Sequence, residues 1–317
     1  MPSGPNAVVL LGAQRFDPTL AAAMSRQYVT GRVALITAGW QERESEDEDL
    51  REHLAPRETV NLKLHARGEE VFREDPELRA AHRERQEALR HRQDFYRIRV
   101  EHALDAERII RKRPAPPDIA TEQRQASVDA IRELDTWHLA NCARLHAEFE
   151  KRWSLNERPS ALKHRREIAA LIKGCAAIAI AGGHVATLIN RLALFGIEAL
   201  TAGKIVFAWS GGAMAVTDRV VLFHDDPPQG PGASEVLDKG MGLVHDVVAL
   251  PQPEQRLQLE RTDRVRILAQ RFAPALCLTL PSSASVVFQK GRFLRADGVI
   301  ELREDNSHGP FSPSVPR

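Results

Sequence analysis

The chain of 317 residues has little cysteine, few aromatics and almost no net charge. Its three cysteines, Cys142, Cys175 and Cys277, are far apart and lack metal-ligand spacing. That argues against a disulfide framework or a cysteine-based zinc site and in favour of reduced thiols. A net charge of +1 with 27% charged residues gives no overall field for nucleic acid or an anionic membrane. Aromatics make up only 5%, too few for a platform on which bases would stack. No apolar stretch approaches the roughly 20 residues of a membrane helix. The opening MPSGPNAVVLLGAQ has neither the basic start nor the apolar length of a signal peptide. The expectation is a soluble, cytoplasmic protein with no metal, no organic cofactor, and no membrane or nucleic-acid partner.

What is present is enough apolar residue, 43%, for a sizeable core. Ala7 to Leu11 and Arg32 to Thr37 are short continuous apolar runs, separated by a helical pattern through Leu20, Ala23 and Met24. Thr59 to Leu64 is a weaker strand. Further runs lie at Ala176 to Ala181, Ile205 to Phe207, Arg219 to Phe223, Gly242 to Leu250, Ala275 to Thr279, Ser285 to Gln289 and Val299 to Leu302. A helix is expected over Thr262 to Phe272. Apolar runs alternating with helices mark strands buried on both faces, and hence a mainly parallel sheet.

From about Arg73 to Arg166 the character changes. Asp75-Pro76 is a helix start, an N-cap followed by proline at the first helical position. Leu89, Tyr96, Ala103 and Ile110 recur every seven residues up to the break at Pro114 to Pro117. Ile131, Leu134, His138, Cys142, Leu145, Phe149 and Trp153 then recur at three- and four-residue steps. The pattern predicts an antiparallel helical hairpin with arms about 50 Å long. Three roles fit it: a solvated arm for dimerisation or partner binding, a cover over the sheet's active edge, or, least well, a nucleic-acid clamp. The domain reading is a discontinuous α/β domain over 1–72 and 167–303, an insertion over 73–166, and a disordered tail over 304–317.

The stretch IVFAWSGGAMA, Ile205 to Ala215, reads as a strand, a sharp turn and a helix start. A serine at such a turn has a cramped backbone, and its hydroxyl stands clear at the carboxyl edge of the sheet. Ala208 replaces the first glycine of the full G-x-S-x-G pattern, and an ordinary tight βα turn fits the same residues.

Ala181 to His184 (AGGH), Trp209 to Ala213 (WSGGA) and the G-x-GL-V segment Gly240 to Val244 together resemble the serine peptidases of the aspartyl dipeptidase and cyanophycinase group. The resemblance implies an α/β three-layer sandwich of the class I glutamine-amidotransferase-like, flavodoxin-like kind, with the hairpin as an insertion. It implies Ser210 as nucleophile and Gly182, Gly183 and Gly211 as the oxyanion hole, with Trp209 beside them as a packing anchor or pocket wall. The family's general base would fall at Leu250-Pro251-Gln252 and its acidic partner near Pro281-Ser282-Ser283, where neither an imidazole nor a carboxylate stands. A relocated base would have to be His184, His224 (beside Asp225 and Asp226) or His245. For each, an ordinary loop or strand histidine is the plainer reading. Two functions follow. One is a divergent serine hydrolase. The other is an inactive relative that binds a small acidic or peptide-like ligand and engages a protein partner, or a second copy of itself, through the hairpin.

Overall fold

A computed structural model describes residues 4–223 and 233–312. The chain begins β1 (Ala7–Leu11), α1 (Leu20–Arg26), β2 (Val33–Ile36), α2 (Glu48–Leu54), β3 (Thr59–Asn61) and α3 (Leu64–Glu74). Three helices follow: α4 (Pro76–Lys112), α5 (Pro117–Trp153) and α6 (Pro159–Lys173). It returns through β4 (Ala177–Ile180), α7 (Val185–Leu194), α8 (Ile197–Leu200), β5 (Ile205–Trp209), α9 (Gly211–Ala215), β6 (Arg219–Leu222) and β7 (Glu235–Lys239). It closes with β8 (Val247–Pro251), α10 (Pro253–Arg256), α11 (Thr262–Phe272), β9 (Leu276–Leu280), β10 (Ser285–Gln289), β11 (Arg292–Asp297), β12 (Ile300–Leu302) and β13 (His308–Pro310).

The central sheet runs β11-β10-β1-β5-β4-β2-β3. Its five strands β1 to β5 pair in parallel, and the β10–β11 hairpin adds an antiparallel edge. β1, β2 and β4 are buried along their whole length, which is why they read as unbroken apolar runs and not as alternating ones. β8 and β9 pair in parallel but belong to a second sheet, β13-β12-β9-β8. The sequence gives no sign of this separation, because both strands carry the same apolar character as the first sheet.

Several expectations need correction. The run Gly242 to Leu250 is strand only from Val247; the glycine-rich part before it lies along the end of α9, with Met241 N–H donating to Ala215 O at 2.8 Å. The expected boundary at 166/167 cuts through α6, whose Ile168 and Ile172 share a core with Ile178 of β4. The expected disordered tail is ordered in part, since His308–Pro310 pairs with Ile300–Leu302; 313–317 lie outside the described residues.

The hairpin itself is no solvated arm. α4 and α5 are 37 residues each, about 55 Å at 1.5 Å per residue. Tyr96, Val100, Val128 and Ile131 sit in one core with Val220, Val236, Val248 and Phe272 of the α/β body. Beneath them Arg271 of α11 forks onto Asp135 of α5 at 2.7 and 2.6 Å, and Tyr96 of α4 donates to the same carboxylate at 2.6 Å. Arginine and glutamate on the outer faces make both arms look solvated in sequence, while one polar residue on each inner face belongs to a buried network. Among the described residues no helix is long and apolar enough to cross a membrane.

Candidate functional site

β5 lies between β1 and β4, with Phe207 and Ala208 fully buried, so its carboxyl end is at the centre of the main sheet. The chain turns there at Ser210, whose φ of 51° and ψ of −128° is a conformation that L-residues rarely adopt. Such a backbone costs on the order of 1–3 kcal/mol and persists only where its surroundings enforce it. Here the surroundings are tight. Gly212, two residues on, is so close to β4 that a Cβ would come within 2.3 Å of Ile180 O. The strand, the turn and a small-residue helix start are therefore all as the sequence predicts, and Ser210 is half-buried at the crest.

The loop after β4 closes over this crest. A Cβ on Gly182 would lie 2.5 Å from Ser210 Cβ and 2.8 Å from Gly211 N, so only glycine allows the approach. Gly183 has φ of +102° and backs onto Gly39 of the loop after β2, where His184 N–H donates to Gly39 O at 2.7 Å. Among the described residues, the N–H groups of Gly182 and Gly183 donate to no backbone carbonyl. The three expected oxyanion glycines and Ser210 are thus brought together.

Of the expected bases, His184 and His245 are each hydrogen-bonded elsewhere. His184 caps its own helix α7: its Nδ1 accepts from Thr187 N–H at 3.3 Å and lies 2.8 Å from Thr187 Oγ1. Thr187 Oγ1 also accepts from Gln41 Nε2 at 3.2 Å, which links His184 sideways to the β2 loop and not to Ser210. His245 pairs through Nδ1 with Asp218 Oδ1 at 2.7 Å. That pair sits past the carboxyl end of α9, whereas Ser210 precedes its amino end. His224 lies outside the described residues. At the position the family resemblance reserves for the base, Gln252 follows β8 with φ of 57°, its N–H donating to Leu280 O at 3.2 Å. Among the described residues the Ser210 hydroxyl has no hydrogen-bond partner, histidine or otherwise. Trp209, expected beside the binding groups, is 6% exposed and packed among Leu11, Met24 and Phe207, so it is a core anchor.

Two features of the site escaped the sequence reading. Gln41 repeats the Ser210 backbone conformation (φ 58°, ψ −123°) in the loop facing the glycines. Nothing in its local sequence signals this. That loop is pinned by Glu44, 2% exposed, whose carboxylate accepts from His65 and Ala66 N–H at 2.9 Å each. Burial pushes the Glu44 pKa up, and the two backbone donors at the start of α3 oppose that shift. The other is the Asp218–His245 pair, 27 residues apart in sequence and brought together where Val244 bridges Thr217 and Asp246 N–H donates to Asp218 Oδ2 at 2.9 Å.

A solved peptidase resembles this chain along nearly all of its length. It is the crystal structure of a peptidase from an acI-B1 Actinobacterium, 13% identical, matched over 96% of this chain and 93% of its own, with a TM-score of 0.46. No family profile and no curated protein matches the chain. At that identity and superposition the likeness says nothing about chemistry, which rests on the site alone.

Proposed function

We propose that this chain is a divergent serine peptidase- or hydrolase-like protein of the class I glutamine-amidotransferase-like fold. In this reading Ser210 is a retained nucleophile that works without the usual histidine and acidic partners. The observation that carries it is the Ser210 backbone, held in a strained turn with Gly182 against it. Ser210 Oγ would attack a carbonyl carbon, its proton passing to water for want of a bonded imidazole. The resulting oxyanion would be met by the N–H groups of the glycine loop and Gly211. One such donor is worth about 3 kcal/mol of barrier, and an oxyanion hole without its base retains roughly a thousandfold or more over water.

The second reading, an inactive relative that binds a ligand or partner, is favoured by the unbonded Ser210 hydroxyl. An outer face of the hairpin that leaves Phe95 (68%), Ile98 (52%) and Trp137 (47%) exposed offers it a contact surface for a protein or a second copy. A fluorophosphonate probe separates the two. The hydrolase reading expects slow labelling of the wild type, complete over hours, that vanishes in Ser210→Ala. No labelling of folded wild type at saturating probe would leave only the binding reading.

A further inference from the structure

Exposed large apolar side chains are normally scattered singly over a surface, but here they collect. Of the eight among the described residues, Phe95, Ile98, Ile109, Ile119 and Trp137 lie on the hairpin. On α4 the residues Phe95, Ile98, His102, Asp105 and Ile109 follow one another at steps of three and four, and all are exposed. They run along the side of the helix opposite the buried Tyr96, Val100 and Glu107. On α5 the exposed residues Ala126, Ala130, Glu133, Trp137 and Ala140 keep the same steps, opposite the buried Ile131, Asp135 and Cys142. Steps of three and four make the seam of helix-on-helix packing. Each arm therefore carries an inner stripe on the α/β body and an outer stripe that nothing covers.

The two outer stripes differ in a complementary way. The α4 stripe is mostly long side chains, whereas the α5 stripe alternates alanine with Glu133 and Trp137. Bonds from Tyr96 to Asp135 and from Arg124 to the Arg111 carbonyl set the level of one arm against the other. Phe95 is thus level with the stretch from Trp137 to Ala140, His102 with that from Ala130 to Glu133, and Ile109 with Ala126. A shallow hollow lined by Glu133, Trp137 and Ala140 lies on this face. The Arg99 guanidinium stacks 4.8 Å from the centre of the Trp137 ring, which still leaves Trp137 47% exposed. Asp105 and Asp129 are each paired within their own helix, with Arg108 and Arg132. Among the described residues, neither His102 nor Glu133 belongs to an ion pair.

A two-fold axis parallel to the arms lays α4 of one copy antiparallel on α5 of another at the same level. Phe95 and Ile109 then meet Ala140 and Ala126, and His102 meets Glu133. One chain thus presents both halves of the contact, which is the property a two-fold interface requires. Two arms of about 55 Å, each roughly 10 Å across, offer on the order of 1,100 Å² per copy, against about 800 Å² for a stable interface. The α/β body lies behind the hairpin and leaves this face open. We propose that the outer face of the hairpin is a self-association surface, on which α4 of one copy packs against α5 of a second copy as a four-helix bundle. This rests on the contact surface named in the second reading above and commits it to one partner, whether or not Ser210 reacts.

Sedimentation equilibrium of the full chain tests this. The wild type should give twice the 35.4 kDa of one chain. Ile98→Glu and Ala130→Arg, both at exposed positions, should each weaken the dimer at least about tenfold without changing the helical circular dichroism. Should either fail to fold, Trp137→Ala takes its place with the same expectation. Leu294→Glu, on the exposed edge strand β11, is the control and should leave the mass unchanged. His102→Glu alone should weaken association, and combining it with Ala130→Arg should restore it, because the two positions stand opposite each other across the contact. A wild type that stays monomeric at about 100 μM would overturn the proposal. So would a dimer lost in Leu294→Glu but kept in Ile98→Glu, or a double variant no tighter than its parents. None of these results bears on fluorophosphonate labelling of Ser210, so failure here is distinguishable from failure of the inactive-relative reading.

Discussion

Replacing Asp135 by alanine removes the centre of the network that joins the hairpin to the α/β body. Asp135 and Arg271 are 3% and 2% exposed, and Tyr96 is fully buried. Asp135 accepts two bonds from Arg271 and one from the Tyr96 hydroxyl, all between 2.6 and 2.7 Å. The Tyr96 oxygen in turn accepts from Val236 N–H at 3.1 Å, and Arg271 Nη1 donates to Ser234 O at 2.7 Å. With Asp135 gone, Arg271 keeps its charge and its burial but retains only neutral partners. Breaking a buried pair from one side typically costs about 3–5 kcal/mol, most of it the penalty of the stranded charge. At a urea m-value of about 3 kcal/mol/M the unfolding midpoint should fall by roughly 1 M or more. The double variant Asp135→Leu with Arg271→Met removes both charges and should be far less destabilised than the sum of the single changes. Urea unfolding followed by circular dichroism measures all of this. A loss below about 1 kcal/mol in Asp135→Ala, or strict additivity in the double variant, would show that the network does not hold the hairpin in place.

The Arg158–Asp75 pair gives a pH dependence. Hydrogen bonding from Arg158, helped by Leu78 N–H and Ser160, lowers the Asp75 pKa from 3.8 to about 2. A depressed carboxylate stabilises the fold fully above about pH 4 and loses that contribution as pH falls towards 2; it is at most about 2 kcal/mol before solvent screening. Asp75→Asn should therefore flatten the stability–pH profile in that window, and an unchanged slope would refute the assignment. At the elbow, Ser210→Gly should be more stable than Ser210→Ala by about 1 kcal/mol, because glycine accepts φ of 51° and alanine does not. Equal midpoints for the two variants would mean the turn is not strained.

The local features were set by the sequence alone. A β-branched run followed by Ser-Gly-Gly makes the turn at Ser210, because only small residues let α9 lie against β4. Asp75-Pro76 starts α4 as an N-cap and a preset φ demand, and the Asp75 side chain does accept from Leu78 N–H at 3.0 Å. Seven-residue spacing put Tyr96 on the inward stripe of its arm, where it is fully buried. What each inward face would meet was not legible, since periodicity records that a face is buried and not against what. The tertiary structure alone decided that Tyr96 meets Asp135 and Arg271, and that β8 and β9 form their own sheet. It alone turned His184 along its helix, onto Thr187. The physical reason is range. Turn geometry and capping act across a few neighbouring residues, whereas a hydrogen-bonded or ionic partner is chosen by contacts between residues more than 100 positions apart, such as Tyr96 and Arg271.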